Sequence, residues 1–245
     1  MGKAITLLRV PVHDVTYAET LIAIGQFIAE GGAHQLCTVN PEFVMAAQED
    51  ADFMAILRNA DLCVPDGIGL LWAARMLRQP LRERVAGSDL APMIAAEAAS
   101  RQWRVFFLGA GEGVAAKAAS ILKARHPELI VAGVWAGSPH PNDDEAAIEK
   151  ICAAGPHILF VAYGAPAQDK WIARNRDRLN VPVMMGVGGS LDFIAGTATR
   201  APRWMQRIGL EWLHRLAHQP WRWKRMLALP RFAVAVARES VISDR

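Results

Sequence analysis

Cysteine is scarce in this chain. The three thiols, Cys37, Cys63 and Cys152, are an odd number, lie far apart and sit among apolar neighbours. That excludes a disulfide-stapled scaffold and fits buried thiols in a reducing compartment. Charge is low as well. Only 21% of the 245 residues are charged against 52% hydrophobic, which excludes intrinsic disorder and leaves ample material for a full core. No apolar run approaches the roughly 18 residues that cross a bilayer. The opening MGKAITLLRVPVHD has too short an apolar stretch and no small-residue cleavage site, so it argues against a signal peptide. MGKAIT also fits a myristoylation pattern, but one too short to carry weight. G-x-S-x-G and the P-loop pattern are missing, and the seven histidines show no zinc spacing. The expectation is a cytoplasmic protein of one large domain with a small appendage.

What is present is unevenly spread. From Arg200 to Arg238 there are eight Arg and one Lys against a single acid, Glu211, a balance of +8 within a chain of net +3. The same stretch holds Trp204, Trp212, Trp221 and Trp223, half of all the tryptophans. Composition divides the chain into a mildly acidic body, 1–199, and a basic, Trp-rich appendage, 200–245.

The body alternates apolar runs with helix-like segments. Strands are predicted at 36–39, 62–64, 105–109, 130–135, 158–163 and 182–187, with another near residue 7. Helices are predicted at 41–58, 68–77, 88–101, 113–125, 143–154 and 166–178, with start signals at Asn40-Pro41, Ser88, Asn142 and Ala165-Pro166. Strand runs apolar throughout and separated by helices imply an α/β fold, a parallel sheet covered on both faces. Ligands of such sheets bind beyond the carboxyl ends of the strands. There the loops carry Thr38 and Asn40, then Asp66, then Gly109, Gly111 and Gly113, then Gln168, and finally Gly188 to Asp192.

Each feature has a plainer reading beside the functional one. The Gly109-x-Gly111-x-Gly113 turn can bring backbone N–H groups to a phosphate, or be only a tight turn. Its spacing is not G-x-G-x-x-G, and no ribose-binding acid follows the next strand, which favours a nucleoside diphosphate over NAD. Asp66 suits a general base or an ordinary Asp-Gly turn. Asn40 is a natural N-cap, and Gln168 a polar residue of a first helical turn. Asp50-Ala51-Asp52 has the letters of a metal motif but falls within a predicted helix, where residues two apart face different ways. Asp143-Asp144 suits a helix start. No metal and no cofactor is expected. In the tail, Trp204, Ile208, Trp212 and Leu216 recur every fourth residue as one helical stripe. Basic residues around such a stripe favour a membrane surface over packing on the body, and either over nucleic acid.

Seven blocks in order carry a resemblance. They are TVNPEFVMAAQ, ADLCVPDGIGLLWAAR, ERVAGSDL, VFFLGAGEGVA, ILFVAYGAPAQDKWI, GVGGSLDFIAG and RAPRWMQRIGLEWLHRLAHQPWRWKR. Together they resemble the WecG/TagA/CpsF family of bacterial glycosyltransferases. The resemblance implies a Rossmann-like body with a C-terminal membrane-binding appendage. It also implies inverting transfer of a sugar from a nucleotide donor, with UDP expected, to a lipid-diphosphate-linked sugar at the inner face of the membrane. It leaves the donor's nucleotide and its sugar (glucose, N-acetylmannosamine or its uronic acid) open. On it Asp66 is the catalytic base, and Thr38, Asn40, Arg84 and Gln168 line the sugar and acceptor pocket. Gly109, Gly111 and Asp192 match nucleotide-binding positions. Arg215, Arg222 and Arg225 match arginines that meet the acceptor diphosphate. The chain departs from the family pattern at Gly164–Asp169, where Asp169 replaces Glu, and at Gly137-Ser138-Pro139, where an aromatic is missing. The rival readings are an NAD-dependent Rossmann oxidoreductase and a non-catalytic membrane adaptor. Oligomeric state stays open.

Overall fold

A computed structural model describes residues 2–218, 220 and 223–243, apart from the side chains of Arg203, Arg207, Arg215, Ile242 and Ser243. The chain opens with an antiparallel hairpin, β1 (Ala4–Leu7) and β2 (Val10–His13), followed by α1 (Tyr17–Glu30). Next come β3 (His34–Val39), α2 (Pro41–Glu49), α3 (Ala51–Asn59), β4 (Leu62–Pro65), α4 (Ile68–Met76) and α5 (Gly87–Ser100). The second half of the body holds β5 (Arg104–Gly109), α6 (Val114–Arg125), β6 (Ile130–Trp135), α7 (Asp144–Ala154), β7 (Ile158–Ala162), α8 (Ala167–Leu179), β8 (Val183–Gly186) and α9 (Ser190–Ala195). The tail forms α10 (Arg203–Arg207), α11 (Glu211–His218), α12 (Trp223–Met226) and α13 (Ala228–Ser243).

Six strands pair in the order β4-β3-β8-β7-β5-β6, every pair parallel. The fold is therefore the expected α/β architecture with C-terminal helices added. Alternation along the strands builds both faces of the core. Val105 and Phe107 of β5 point toward α1, α5, α6 and α9, whereas Phe106 and Leu108 point toward α7 and α8. Each fully buried side chain of this size contributes about 1.5–3 kcal/mol.

Several expectations need correcting. The predicted helix 41–58 is two helices, because Asp50 leaves helical geometry and caps α3 by accepting the Phe53 N–H at 3.0 Å. Neither Ser88 nor Asn142 caps a helix: α5 begins at Gly87, and Asn142 lies in a 3-10 turn before α7. Helix α1 is absent from the predicted elements although Thr16 and Glu19 close a full capping box at its start. The Trp204 stripe does not lie on one helix. Gly209, at φ +78°, turns the chain between α10 and α11.

Helix α13 joins the body. Phe232 and Val236 are 5% and 2% exposed in one apolar cluster with Leu7, Val12, Phe43 and Phe53. Glu239 fastens it further by accepting the Leu8 N–H at 3.2 Å. Among the described residues no helix is long and apolar enough to cross a membrane.

Candidate active site

A cavity of about 660 Å³ opens at the carboxyl ends of β3, β4 and β8 and is roofed by the tail. Thr38, Asn40, Asp66, Arg84 and Gln168, all expected in the pocket, line it together, and so does Arg225. Thr38, next to last in β3, packs against Gly87, where an added Cβ would lie 3.0 Å from its methyl, so glycine lets α5 start this close without displacing Thr38. Asn40 does cap α2, accepting the Phe43 N–H at 2.9 Å. Capping uses its oxygen only, so the plainer reading and the functional one are both available to it.

Asp66 follows β4 directly, and its Oδ2 accepts the Gly87 N–H at 3.1 Å. That bond aims a half-buried carboxylate at the cavity from the amino end of α5. The loop carrying Arg84 is fixed from below by α1. The Tyr17 hydroxyl accepts the Ala86 N–H at 2.8 Å, and Glu83 accepts the Tyr17 N–H at 3.0 Å. Burial pushes the Tyr17 phenol up to about 12, so it stays protonated. Arg84 donates to the Gln206 carbonyl at 3.2 Å and lies 3.8 Å from Glu211, both in the tail. Sequence reasoning passed over Tyr17 and gave Glu211 no role in the site. Its signal was being the one acid in a stretch of nine cations.

Gln168 is 2% exposed, and its Oε1 accepts the Gly188 N–H at 2.9 Å. It thereby ties the start of α8 to the turn after β8. The turn is tight: a Cβ on Gly186 would lie 2.4 Å from the Gln168 Nε2. Asp169 points the other way, fully buried, 3.7 Å from the Cys37 Sγ, and burial pushes its carboxyl up to about 7. The acid at this position therefore lies beneath the cavity.

Gly109, Gly111 and Asp192 are not among the residues lining the cavity. Gly109 is required by packing, since a Cβ there would lie 2.9 Å from the Ala162 carbonyl carbon, and its φ is +91°. The Gly111 turn leads into α6, which packs along α9, the helix that holds Asp192. Asp192 Oδ1 lies 3.3 Å from the Thr197 hydroxyl, which donates to it. The ring of Tyr163 fills the space between Gly109 and Gly137 at the ends of β5 and β6. Arg225 pairs with Glu42 at 3.0 Å. The Arg215 side chain and Arg222 lie outside the described residues.

One member of each acidic pair considered for a metal is engaged elsewhere. Asp50 pairs with Lys170 at 2.6 Å, and Asp144 is gripped by Arg174 at 2.6 and 2.8 Å. Among the described residues no three His, Cys, Asp or Glu side chains converge.

Residues 5–245 match the model of the glycosyl transferase WecG/TagA/CpsF family. The chain belongs to this family. Among similar proteins is an N-acetylglucosaminyldiphosphoundecaprenol N-acetyl-beta-D-mannosaminyltransferase of Bacillus subtilis (strain 168). It is 37% identical over 204 residues, 83% of this chain and 79% of that one. A protein of the same name from Staphylococcus aureus (strain MW2) is 30% identical over 241 residues, covering 96% and 92% of the two chains. The family match places the chain among glycosyltransferases and sets the NAD oxidoreductase reading aside.

Proposed function

We propose that the protein transfers N-acetylmannosamine from a UDP-linked donor to N-acetylglucosamine carried on a polyprenyl diphosphate, with inversion at the anomeric carbon. The observation that carries this reading is the placement of Asp66, a carboxylate held by the Gly87 N–H in a cavity that also takes Arg84, Gln168 and Arg225. The names of the relatives supply the sugars and the lipid.

In this mechanism an acceptor hydroxyl gives its proton to Asp66 as its oxygen attacks the anomeric carbon. The bond from that carbon to the nucleoside diphosphate breaks in the same displacement, so no sugar–enzyme bond forms. Negative charge gathers on the departing diphosphate and is met by N–H groups of helix starts and by arginines. The Gly109–Gly113 turn, together with Asp192 of α9, takes the nucleotide. Arg225, which lines the cavity, meets the acceptor diphosphate in this reading, the family resemblance gives Arg215 and Arg222 the same task, and no divalent cation takes part.

The appendage, 200–245, works at the anionic inner surface of the cell membrane in this reading. Exposed Trp204, Ile208 and Trp223 support it, being 61%, 54% and 53% exposed within a strongly basic stretch. Helix α13 keeps that surface joined to the site. The test is a transfer assay with UDP- and GDP-sugars and a prenyl-diphosphate N-acetylglucosamine, alongside flotation with anionic vesicles. Product formed only from UDP-N-acetylmannosamine, with salt-sensitive flotation, is the expected result. Product from another donor would reassign the sugar, and flotation unaffected by lipid charge would remove the membrane role of the arginines.

A further inference from the structure

We propose that the apolar end of the cavity, between α4 and α13, seats the first isoprene units of the acceptor's lipid chain. This rests on the reading that the acceptor is a polyprenyl-diphosphate sugar. Helix α4 begins two residues beyond Asp66, and Ile68, Trp72 and Met76 recur along it at every fourth position, all lining the cavity. At 1.5 Å per residue this ridge leads about 12 Å away from the start of the helix. The facing wall is a stripe of α13, formed by Leu229, Phe232, Ala233 and Val236 at the spacing of one helical face. None of the residues that α4 or α13 contributes to the cavity carries a charge. The charged lining residues, among them Asp66, Arg84 and Glu211, come from other segments.

Trp72 and Met76 are 64% and 53% exposed, a large apolar surface to leave in water beside a polar site. What covers it must be apolar and must also join the polar end, because both ends belong to one cavity. A flat bilayer could meet Trp72 and Met76, whereas Phe232 and Val236, 5% and 2% exposed, are already covered by the body, so the part of the α13 wall open to a ligand is Leu229 and Ala233. A single hydrocarbon chain lying in the groove touches both walls. A prenyl chain linked through a diphosphate to the acceptor sugar has that shape. Its charged link would pass Arg225, another lining residue.

The full chain is assayed without membranes or detergent, using N-acetylglucosaminyl diphosphates that bear a methyl, geranyl or farnesyl group, each below its micelle concentration. Wild type should show kcat/KM rising about tenfold or more from methyl to farnesyl, chiefly through KM, as apolar surface enters the groove. The variant Trp72→Ser/Met76→Ser, changed at exposed positions and so expected to fold, should bring the farnesyl-to-methyl ratio close to one. A wild-type ratio near one, or an unchanged ratio in the variant, would overturn the proposal. Loss of vesicle flotation with the ratio intact would make the ridge a membrane anchor and also overturn it. No transfer to any of these acceptors would remove the underlying acceptor reading, and this proposal with it.

Discussion

Arg200 grips Asp89 with both terminal guanidinium nitrogens, Nη2 donating to Oδ2 at 2.7 Å, while its Nε lies 3.8 Å from Glu211, too far for a hydrogen bond. Arg84 lies 4.0 Å from the same Asp89 and 3.8 Å from the same Glu211. The first cation of the basic stretch and its one acid thus close around a residue of the cavity. Arg200→Met should cost about 1 kcal/mol, because solvent reaches both partners of the pair. It should also lower kcat/KM as Glu211 loosens from Arg84. Arg200 holds the Asp89 carboxyl below its ordinary 3.8. The stabilisation is therefore present above about pH 4 and lost as pH falls through the lowered native value. Thermal melts from pH 7 down to pH 2.5 should show the wild-type and Met variants converging toward the acid end. Curves that stay parallel would mean the pair contributes nothing.

Gly186→Ala should act through Gln168. The new Cβ meets the Gln168 Nε2 and drives the side chain off the Gly188 N–H. The expected outcome is a folded protein with transfer reduced about tenfold or more, the size of effect from misplacing a positioned group. Circular dichroism and steady-state kinetics check it, and unaltered kinetics would leave Gln168 without a role in the site.

Asp169 gives a pH dependence of the opposite sense. Burial raises its carboxyl to about 7, so between pH 4 and pH 7 the native state holds a proton that the unfolded chain has released. Stability from this group is full below pH 4, falls as pH rises, and is lost above about pH 7. Asp169→Asn removes the titration at nearly constant volume. Its melting temperature should exceed that of wild type at pH 8, and the gap should shrink steadily toward pH 4. A gap independent of pH would contradict the burial argument.

Transfer should persist in excess EDTA. Asp50 and Asp144 are committed to Lys170 and Arg174, and arginines are present to meet diphosphate charge. A loss of activity that Mg²⁺ or Mn²⁺ restores would show that a cation shares that task.

Most of the strand and helix pattern could be read directly, because the sheet's strands are apolar throughout and bounded by Gly, Pro and Asn. The places of Thr38, Asn40, Asp66 and Gln168 could be read for the same reason, since Thr38 lies near the carboxyl end of a strand and the other three fall after a strand and no later than the first turn of the next helix. Helix α1 was legible in the same terms, with Thr20, Ala23, Ile24 and Phe27 at the spacing of one helical face and the capping residues Thr16 and Glu19 at its start. The break at Asp50 was hidden because one acid inside a helical pattern looks like a surface residue. Burial of Phe232 and Val236 against Leu7 and Phe43 is a contact across nearly the whole chain, and no local pattern encodes it. A basic, Trp-rich composition separates the tail from the body even though α13 packs into the body's core.

The most direct measurement is single-turnover transfer by Asp66→Asn beside wild type, at saturating UDP-N-acetylmannosamine and prenyl-diphosphate N-acetylglucosamine. The substitution keeps the volume and the Gly87 contact but removes the base. The account predicts a rate about 10²–10⁴-fold lower, with donor affinity nearly unchanged. A variant that keeps more than about a third of the wild-type rate would contradict it, and Asp66 would not be the base.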